Sequence, residues 1–202
     1  PHMFDKDALV FDNGQIQKAG ILLPDGTPYL TLTSEGFPNF GIWSVPGAPF
    51  IYYGDEIGLN GDNDPDCRRC MEWNPAKQNA DVLSFYKKII RIRKKNPCLR
   101  TGNIVPLVCE KMTYGYLCQS ANQQIYVLIN VAEEATEVRL PVLKIAEYKD
   151  LLTGKSYQAE KLVNAGYFNE DMISCQGALK LSLRAFEGII LKTGGMKNEK
   201  KQ

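Results

Sequence analysis

Carboxylates, guanidiniums and thiols crowd into one short stretch of this chain. Between Pro46 and Trp73 the sequence reads PGAPFIYYGDEIGLNGDNDPDCRRCMEW. Asp55, Glu56, Asp62, Asp64 and Asp66 supply acids, Arg68 and Arg69 supply bases, and Cys67 and Cys70 form a C-x-x-C pair. Two carboxylates across a glycosidic bond are the usual equipment for hydrolysing it. A carboxylate and a planar guanidinium on one side of a loop offer acceptors and a fork of donors, which suits vicinal hydroxyl groups. The spacing Asp64-Pro65-x-x-Arg68 turns at the proline and can present that pair, or close it into an internal ion pair. Asp55 and Glu56 also read well as groups that satisfy loop amides. Trp43 and Trp73 are candidate stacking platforms, although Trp73, after Met71 at the approach to a helix, reads better as core.

Other chemistries are excluded by count. The single histidine is His2, inside Pro1-His2-Met3, which reads as a cloning remnant. Triads that need a histidine therefore have no base. Cys67 and Cys70 are half of a zinc site, and a structural site needs four ligands, so no metal and no cofactor is expected. The six cysteines stand at 67, 70, 98, 109, 118 and 175. Scattered in this way they read as reduced, buried small groups, which favours a cytoplasmic protein. The formal charge of +1 gives no basic field for nucleic acid. No apolar run approaches the roughly 20 residues that span a bilayer.

The elements that position these residues follow from patterning. Phe50 to Tyr53 is aromatic and β-branched between Pro49 and Gly54, which predicts a short buried strand. Gly54, Gly58, Gly61 and the Asn/Asp run from Asn60 to Asp66 predict a loop. Val82, Phe85, Tyr86, Ile89, Ile90 and Arg93 follow helical spacing, so a helix is predicted over 79–95. Asn79 or Asp81 caps its start and Pro97 lies beyond its end. The cations Lys87, Lys88, Arg91, Arg93, Lys94 and Lys95 gather toward its C-terminus and complement the dipole. After Asn96 the chain predicts strands at Tyr114–Cys118, Gln124–Asn130, Thr136–Leu140, Tyr148–Leu152, Lys180–Leu183 and Gly188–Leu191, with a hairpin end at Leu151–Lys155. Strands at this spacing without helices between them predict a sandwich. Upstream, Val10 to Ile16 suggests one hairpin, and Pro24-Asp25-Gly26-Thr27-Pro28 a turn between Ile21–Leu23 and Tyr29–Leu32.

The Pro46–Trp73 stretch resembles the alpha-amylase family of glycoside hydrolases, in its neopullulanase, cyclomaltodextrinase and maltogenic amylase branch. The matching pattern is PG-x-P-x-IYYGDE-IGL-x-G-x-x-DPDCRR-x-M-x-W. The resemblance continues through the helix over 79–95, the junction Asn96-Pro97-x-Leu99-Arg100-Thr101-Gly102, Tyr148 to Tyr157 and the strand ending at Leu191. It covers the last three quarters of the chain. It implies the eighth strand and helix of a (β/α)8 barrel followed by a C-terminal β-sandwich. Pro38 and Gly41 stand where the family carries its seventh helix, which points to deletion or recombination upstream.

A whole barrel needs about 250 residues, and this chain has 202. The family's catalytic motifs, on the fourth, fifth and seventh barrel strands, find no match here. The resemblance therefore implies the C-terminal portion of a neopullulanase-like hydrolase of α-1,4-glucans and maltodextrins. Such a portion lacks the catalytic carboxylates and is inactive alone. It also implies that Asp64 and Arg68 contact glucose units on the non-reducing side of the cleaved bond. The alternative is a non-enzymatic carbohydrate-binding or protein-interaction module that reuses the sandwich. The expected partners are a maltooligosaccharide, bound weakly or not at all by this chain alone, and a second copy or another chain covering the exposed barrel strand.

The expected fold class is α+β and rich in β: one strand–loop–helix unit, a barrel remnant, packed on an antiparallel β-sandwich. The expected division is a lead-in over 1–45, the strand–loop–helix unit over 46–96, the sandwich over 97–194 and a tail over 195–202.

Overall fold

A computed structural model of the chain describes residues 20–22, 28–30, 47–49, 51–61, 65–110, 112–162 and 174–193. The fold is strand-rich and contains no closed barrel among those residues. The chain divides into two compact units, Pro1–Asn96 and Pro97–Gln202.

Among its described residues the first unit holds a hairpin, three 3-10 turns and one long helix. Strands β1 (Gly20–Leu22) and β2 (Pro28–Leu30) pair antiparallel, with Ile21 opposite Tyr29, on either side of the turn the sequence predicts. The hairpin expected near Val10–Ile16 lies outside the described residues. The 3-10 turns are Asp55–Ile57, Asp66–Arg68 and Pro75–Lys77. Helix α1 (Ala80–Lys95) begins where expected: the Asn79 side chain accepts from the amides of Asp81 and Val82. Tyr86, Ile89, Ile92 and Arg93 are its buried positions. Lys87, Lys88, Arg91, Lys94 and Lys95 are exposed. Arg93 does not belong with those solvated cations, because it is buried and its guanidinium donates to the Gly47 carbonyl.

The strand expected at Phe50–Tyr53 is not observed at Ile51, Tyr52 and Tyr53, and Phe50 lies outside the described residues. Ile51 and Tyr52 join no sheet, and Tyr53 and Gly54 form a turn. A barrel strand exists through its ladder bonds to neighbours on both sides. No other segment among the described residues supplies that ladder, so the pattern alone does not hold the backbone extended.

The second unit is a sandwich. After the short helix α2 (Cys98–Thr101) come β3 (Asn103–Glu110), β4 (Thr113–Ser120), β5 (Gln123–Asn130), β6 (Thr136–Val142), β7 (Glu147–Asp150), β8 (Ser156–Gln158), β9 (Glu160–Lys161), β10 (Gly177–Leu183) and β11 (Gly188–Thr193). Six strands form one antiparallel sheet in the order β3-β4-β5-β11-β7-β8, and three form the other, β6-β10-β9. Leu117, Leu128, Tyr148 and Leu191 from the larger sheet meet Leu140, Leu179, Leu181 and Leu183 from the smaller in one core. Gly115 sits on the inner face of β4, where a Cβ would stand 2.6 Å from Leu128 Cδ1 and 3.4 Å from Leu140 Cδ1. Strand β5 is buried on both faces from Ile125 to Asn130.

Three buried polar groups tie the sandwich together. The Tyr126 hydroxyl accepts from the Leu143 amide, and its ring meets Tyr148 edge-on at 5.4 Å. Burial pushes both phenols above their ordinary pKa. Asn130 accepts from the Ala132 amide and donates to the carbonyls of Glu134 and Arg184. Asp150, fully buried, accepts from the amides of Leu152, Thr153 and Ile190 and from the Thr153 hydroxyl.

Candidate functional site

The loop from Gly54 to Trp73 is built around two left-handed glycines. Gly54 (φ 94°) and Gly58 (φ 67°) flank the 3-10 turn Asp55–Ile57. A side chain at either is disfavoured by backbone conformation, and at Gly54 a Cβ would also press on Leu59 at 2.7 Å. The turn closes through Ile57 N–H to Gly54 O and Gly58 N–H to Asp55 O, and Leu59 N–H returns to Gly54 O at 2.9 Å. The Asn79 amide donates to Ile57 O at 2.9 Å, so the start of α1 is bonded directly to this turn. Ile57 is buried beneath it.

Glu56 has the structural role its position suggests: its carboxylate accepts from the Gly54 amide at 2.9 Å. Asp66 holds Arg69 in a two-bond pair, with Arg69 Nε donating to Oδ1 at 2.7 Å and Nη2 to Oδ2 at 2.6 Å. The Tyr53 hydroxyl donates to the Arg69 carbonyl at 2.8 Å and fastens the loop's two ends together. Sequence reasoning weighed an Asp64–Arg68 ion pair and overlooked Asp66–Arg69. The signal was present, since an acid and a base three apart share one face of a helical turn.

Asp64 lies outside the described residues. Arg68 closes the turn Asp66–Arg68, with its amide donating to Pro65 O at 3.0 Å, and its side chain is exposed. Beyond it, Glu72 accepts from the Asn74 amide at 2.8 Å and pairs with Lys77 at 3.6 Å. Trp73 corrects the sequence expectation. It is 78% exposed rather than core, because among the described residues the segment that carries it joins no sheet and no apolar cluster. Tyr52 and Tyr53 are each 42% exposed, with ring centroids 4.7 Å apart. Trp43 lies outside the described residues.

Cys70 is an exposed thiol, and no group of three or more metal-ligating side chains occurs among the described residues. Nor is any described helix long and apolar enough to cross a membrane. The described part of the loop thus carries a guanidinium at the surface in Arg68 and exposed aromatic faces at Tyr52, Tyr53 and Trp73. That set can bind hydroxyl-rich, flat-faced molecules. Among the described residues, Glu56, Asp66 and Glu72 are each already engaged by an amide or a cation.

No family model matches the chain. Individual proteins do. A cyclomaltodextrinase of Geobacillus thermopakistaniensis is 38% identical over 117 residues, 56% of this chain and 20% of that protein. Neopullulanase 2 of Thermoactinomyces vulgaris is 36% identical over 152 residues, 73% of this chain and 23% of that protein. A solved cyclomaltodextrinase structure superposes with a TM-score of 0.58 at 31% identity, covering 76% of this chain and 24% of that one. The chain spans about a fifth of the length of the curated relatives it matches.

Proposed function

Because this chain belongs, over the segment it shares with those relatives, to the alpha-amylase family of glycoside hydrolases, we propose that it is the C-terminal portion of a neopullulanase-like enzyme acting on maltodextrins and related α-1,4-glucans. The observation that carries the reading is the length of the match. It runs for 152 residues at 36% identity in one relative, far beyond a single motif. The nucleophile and the acid of the reaction come from outside these 202 residues. Glu56, Asp66 and Glu72 serve the loop itself, and the chain alone is inert toward glucan.

In the assembled enzyme Asp64 and Arg68 bind sugar hydroxyls on the non-reducing side of the cleaved bond. The exposure of Arg68 supports that role. A second reading, a binding module without turnover, is favoured by the exposure of Trp73, Tyr52 and Tyr53, since aromatic faces stack on sugar rings. The exposed thiols Cys70 and Cys109 support a reducing, intracellular setting.

The test is incubation of the purified chain with maltohexaose and with cyclomaltodextrin, followed by chromatography of the products. No release of glucose or maltose is expected. Release that tracks the purified chain and vanishes in an Asp64→Ala, Arg68→Ala variant would overturn the assignment of catalysis to residues elsewhere. Saturable retention of maltohexaose without turnover, lost in a Trp73→Ala variant, would select the binding-module reading.

A further inference from the structure

Two cysteines that are twenty positions apart in sequence meet inside the second unit. Cys98 opens the short helix α2, and Cys118 lies in β4. Both side chains are fully buried. The Cys98 thiol donates to the Cys118 carbonyl at 2.8 Å, and the Cys118 thiol donates back to the Cys98 carbonyl at 2.9 Å. Each side chain therefore lies along the other residue's main chain, which sets the two thiols beside one another where α2 meets β4. The surroundings fix both backbones there. The Cys98 amide donates to Gln123 Oε1 at 3.0 Å, and the Gly102 amide donates to the Cys98 carbonyl at 2.8 Å. A Cβ on Gly102 would stand 2.9 Å from Cys98 Sγ and 2.8 Å from the Gln119 carbonyl, so α2 lies tight on β4.

We propose that Cys98 and Cys118 are a dithiol site that oxidises to an intramolecular disulfide, clipping α2 to β4. A disulfide requires Cα atoms within about 7 Å and side chains that point toward each other, and the reciprocal contacts meet the second demand directly. The reaction is an exchange with a small-molecule disulfide. The Cys98 thiolate attacks one sulfur of the oxidant and expels one thiolate, forming a mixed disulfide. Cys118, losing its proton to solvent, then displaces the second thiolate. One S–S bond forms in the protein, one is broken in the oxidant, and two electrons pass to two released thiols. The neighbouring Cys118 side chain holds the Cys98 pKa below the ordinary thiol value against the upward push of burial, with further help from Ser120, the Ile125 backbone and Lys192. Cys175, by contrast, is pushed up by burial.

The test is refolding of the reduced full chain in a glutathione buffer poised toward the oxidised form, so that burial in the native state does not limit access. Free thiols are then alkylated and the chain is digested with trypsin without reduction. Trypsin separates the pair cleanly: Cys98 falls in the peptide 96–100, Cys118 in 112–139 and Cys109 in 101–111. The expected result is a species joining the first two peptides, two hydrogens lighter than their sum, in most of the refolded chains. Cys109 and Cys175 are expected to be alkylated. Cys98→Ser and Cys118→Ser variants lose the joined species, and neither forms a replacement bridge. Recovery of both peptides singly alkylated from the refolded wild-type chain, or bridging of Cys98 and Cys118 at random with the other cysteines, overturns the proposal.

Discussion

Replacing Asp150 by alanine tests whether one buried carboxylate organises the turn after β7. Its oxygens accept four hydrogen bonds: Leu152 N–H at 3.0 Å, Thr153 N–H at 3.1 Å, Ile190 N–H at 3.2 Å and the Thr153 hydroxyl at 2.5 Å. Thr153 is exposed, so water can replace its two bonds in the variant. Leu152 is 8% exposed and Ile190 is fully buried, so their amides stay orphaned. An unsatisfied buried donor costs about 1–3 kcal/mol. Two of them, with the small cavity left by the carboxyl, give a loss of about 3–5 kcal/mol for Asp150→Ala. With a urea slope of about 1–3 kcal/mol per molar, the midpoint falls by about 2 M. Thr153→Val removes the hydroxyl's bond to Asp150 and the one it accepts from the exposed Lys155 amide at 3.3 Å, which water can replace, and is expected to cost about 1 kcal/mol. The assay is urea unfolding of the full chain followed by far-ultraviolet circular dichroism. A midpoint for Asp150→Ala within about 0.3 M of the wild type would refute the claim that the Leu152 and Ile190 amides depend on this side chain.

Three further outcomes are expected. Gly102→Ala destabilises more than Gly115→Ala in thermal unfolding. The Cβ at 102 meets main-chain carbonyls at 2.6 and 2.8 Å, whereas at 115 the 2.6 Å contact is the end of the Leu128 side chain, which can shift at about 1–3 kcal/mol. Asn79→Ala removes the cap of α1 and lowers stability by about 1 kcal/mol, seen as faster amide exchange in the helix's first turn. Glu187 is partly buried, which raises its pKa, but bonds from the Arg184 amide and guanidinium and the charges of Arg184 and Lys155 prevail and hold it below the ordinary carboxylate value. A depressed folded-state pKa means stabilisation present above the unfolded value and lost as pH falls through the folded one. Glu187→Gln should therefore narrow the stability difference between neutral and strongly acidic pH. Arg184 is 84% exposed, so the effect on urea midpoints is under about 1 kcal/mol.

The sandwich was legible in the sequence because its inner strands alternate or run apolar between turns. Tyr114–Cys118 and Gln124–Asn130 fall inside β4 and β5, and the Leu151–Lys155 turn joins β7 to β8. Strand β3 was missed, since Pro106 in its middle argues against a strand. The structure accommodates it at the sheet's edge, beside a register shift between Pro106 and Val108. On α1, spacing placed Phe85 and Ile90 on the buried face and passed over Ile92, although Ile92 is the more buried. Phe50–Tyr53 failed for a different reason. A barrel strand's composition records neighbours, and a segment cannot form a ladder without them. Of the two proposed sugar contacts, Arg68 is placed and exposed, and Asp64 falls outside the described residues. The Cys98–Cys118 encounter had no local signal, because it arises from α2 folding back across β4.

The strand order of the larger sheet also sets a schedule for assembly. Strands β3, β4 and β5 follow one another and can zip as a meander while the chain is still emerging from a ribosome. The other edge of β5 belongs to β11, whose Ile190 pairs with Val127 across sixty-odd residues. Until Gly188–Thr193 is synthesised and arrives, β5, buried from Ile125 to Asn130 in the finished sheet, presents bare amides and carbonyls along that edge. A nascent chain paused before residue 188 is thus the species most prone to pair with its neighbours on a polysome. Slow, long-range closure of this kind is a step at which a chaperone would be needed.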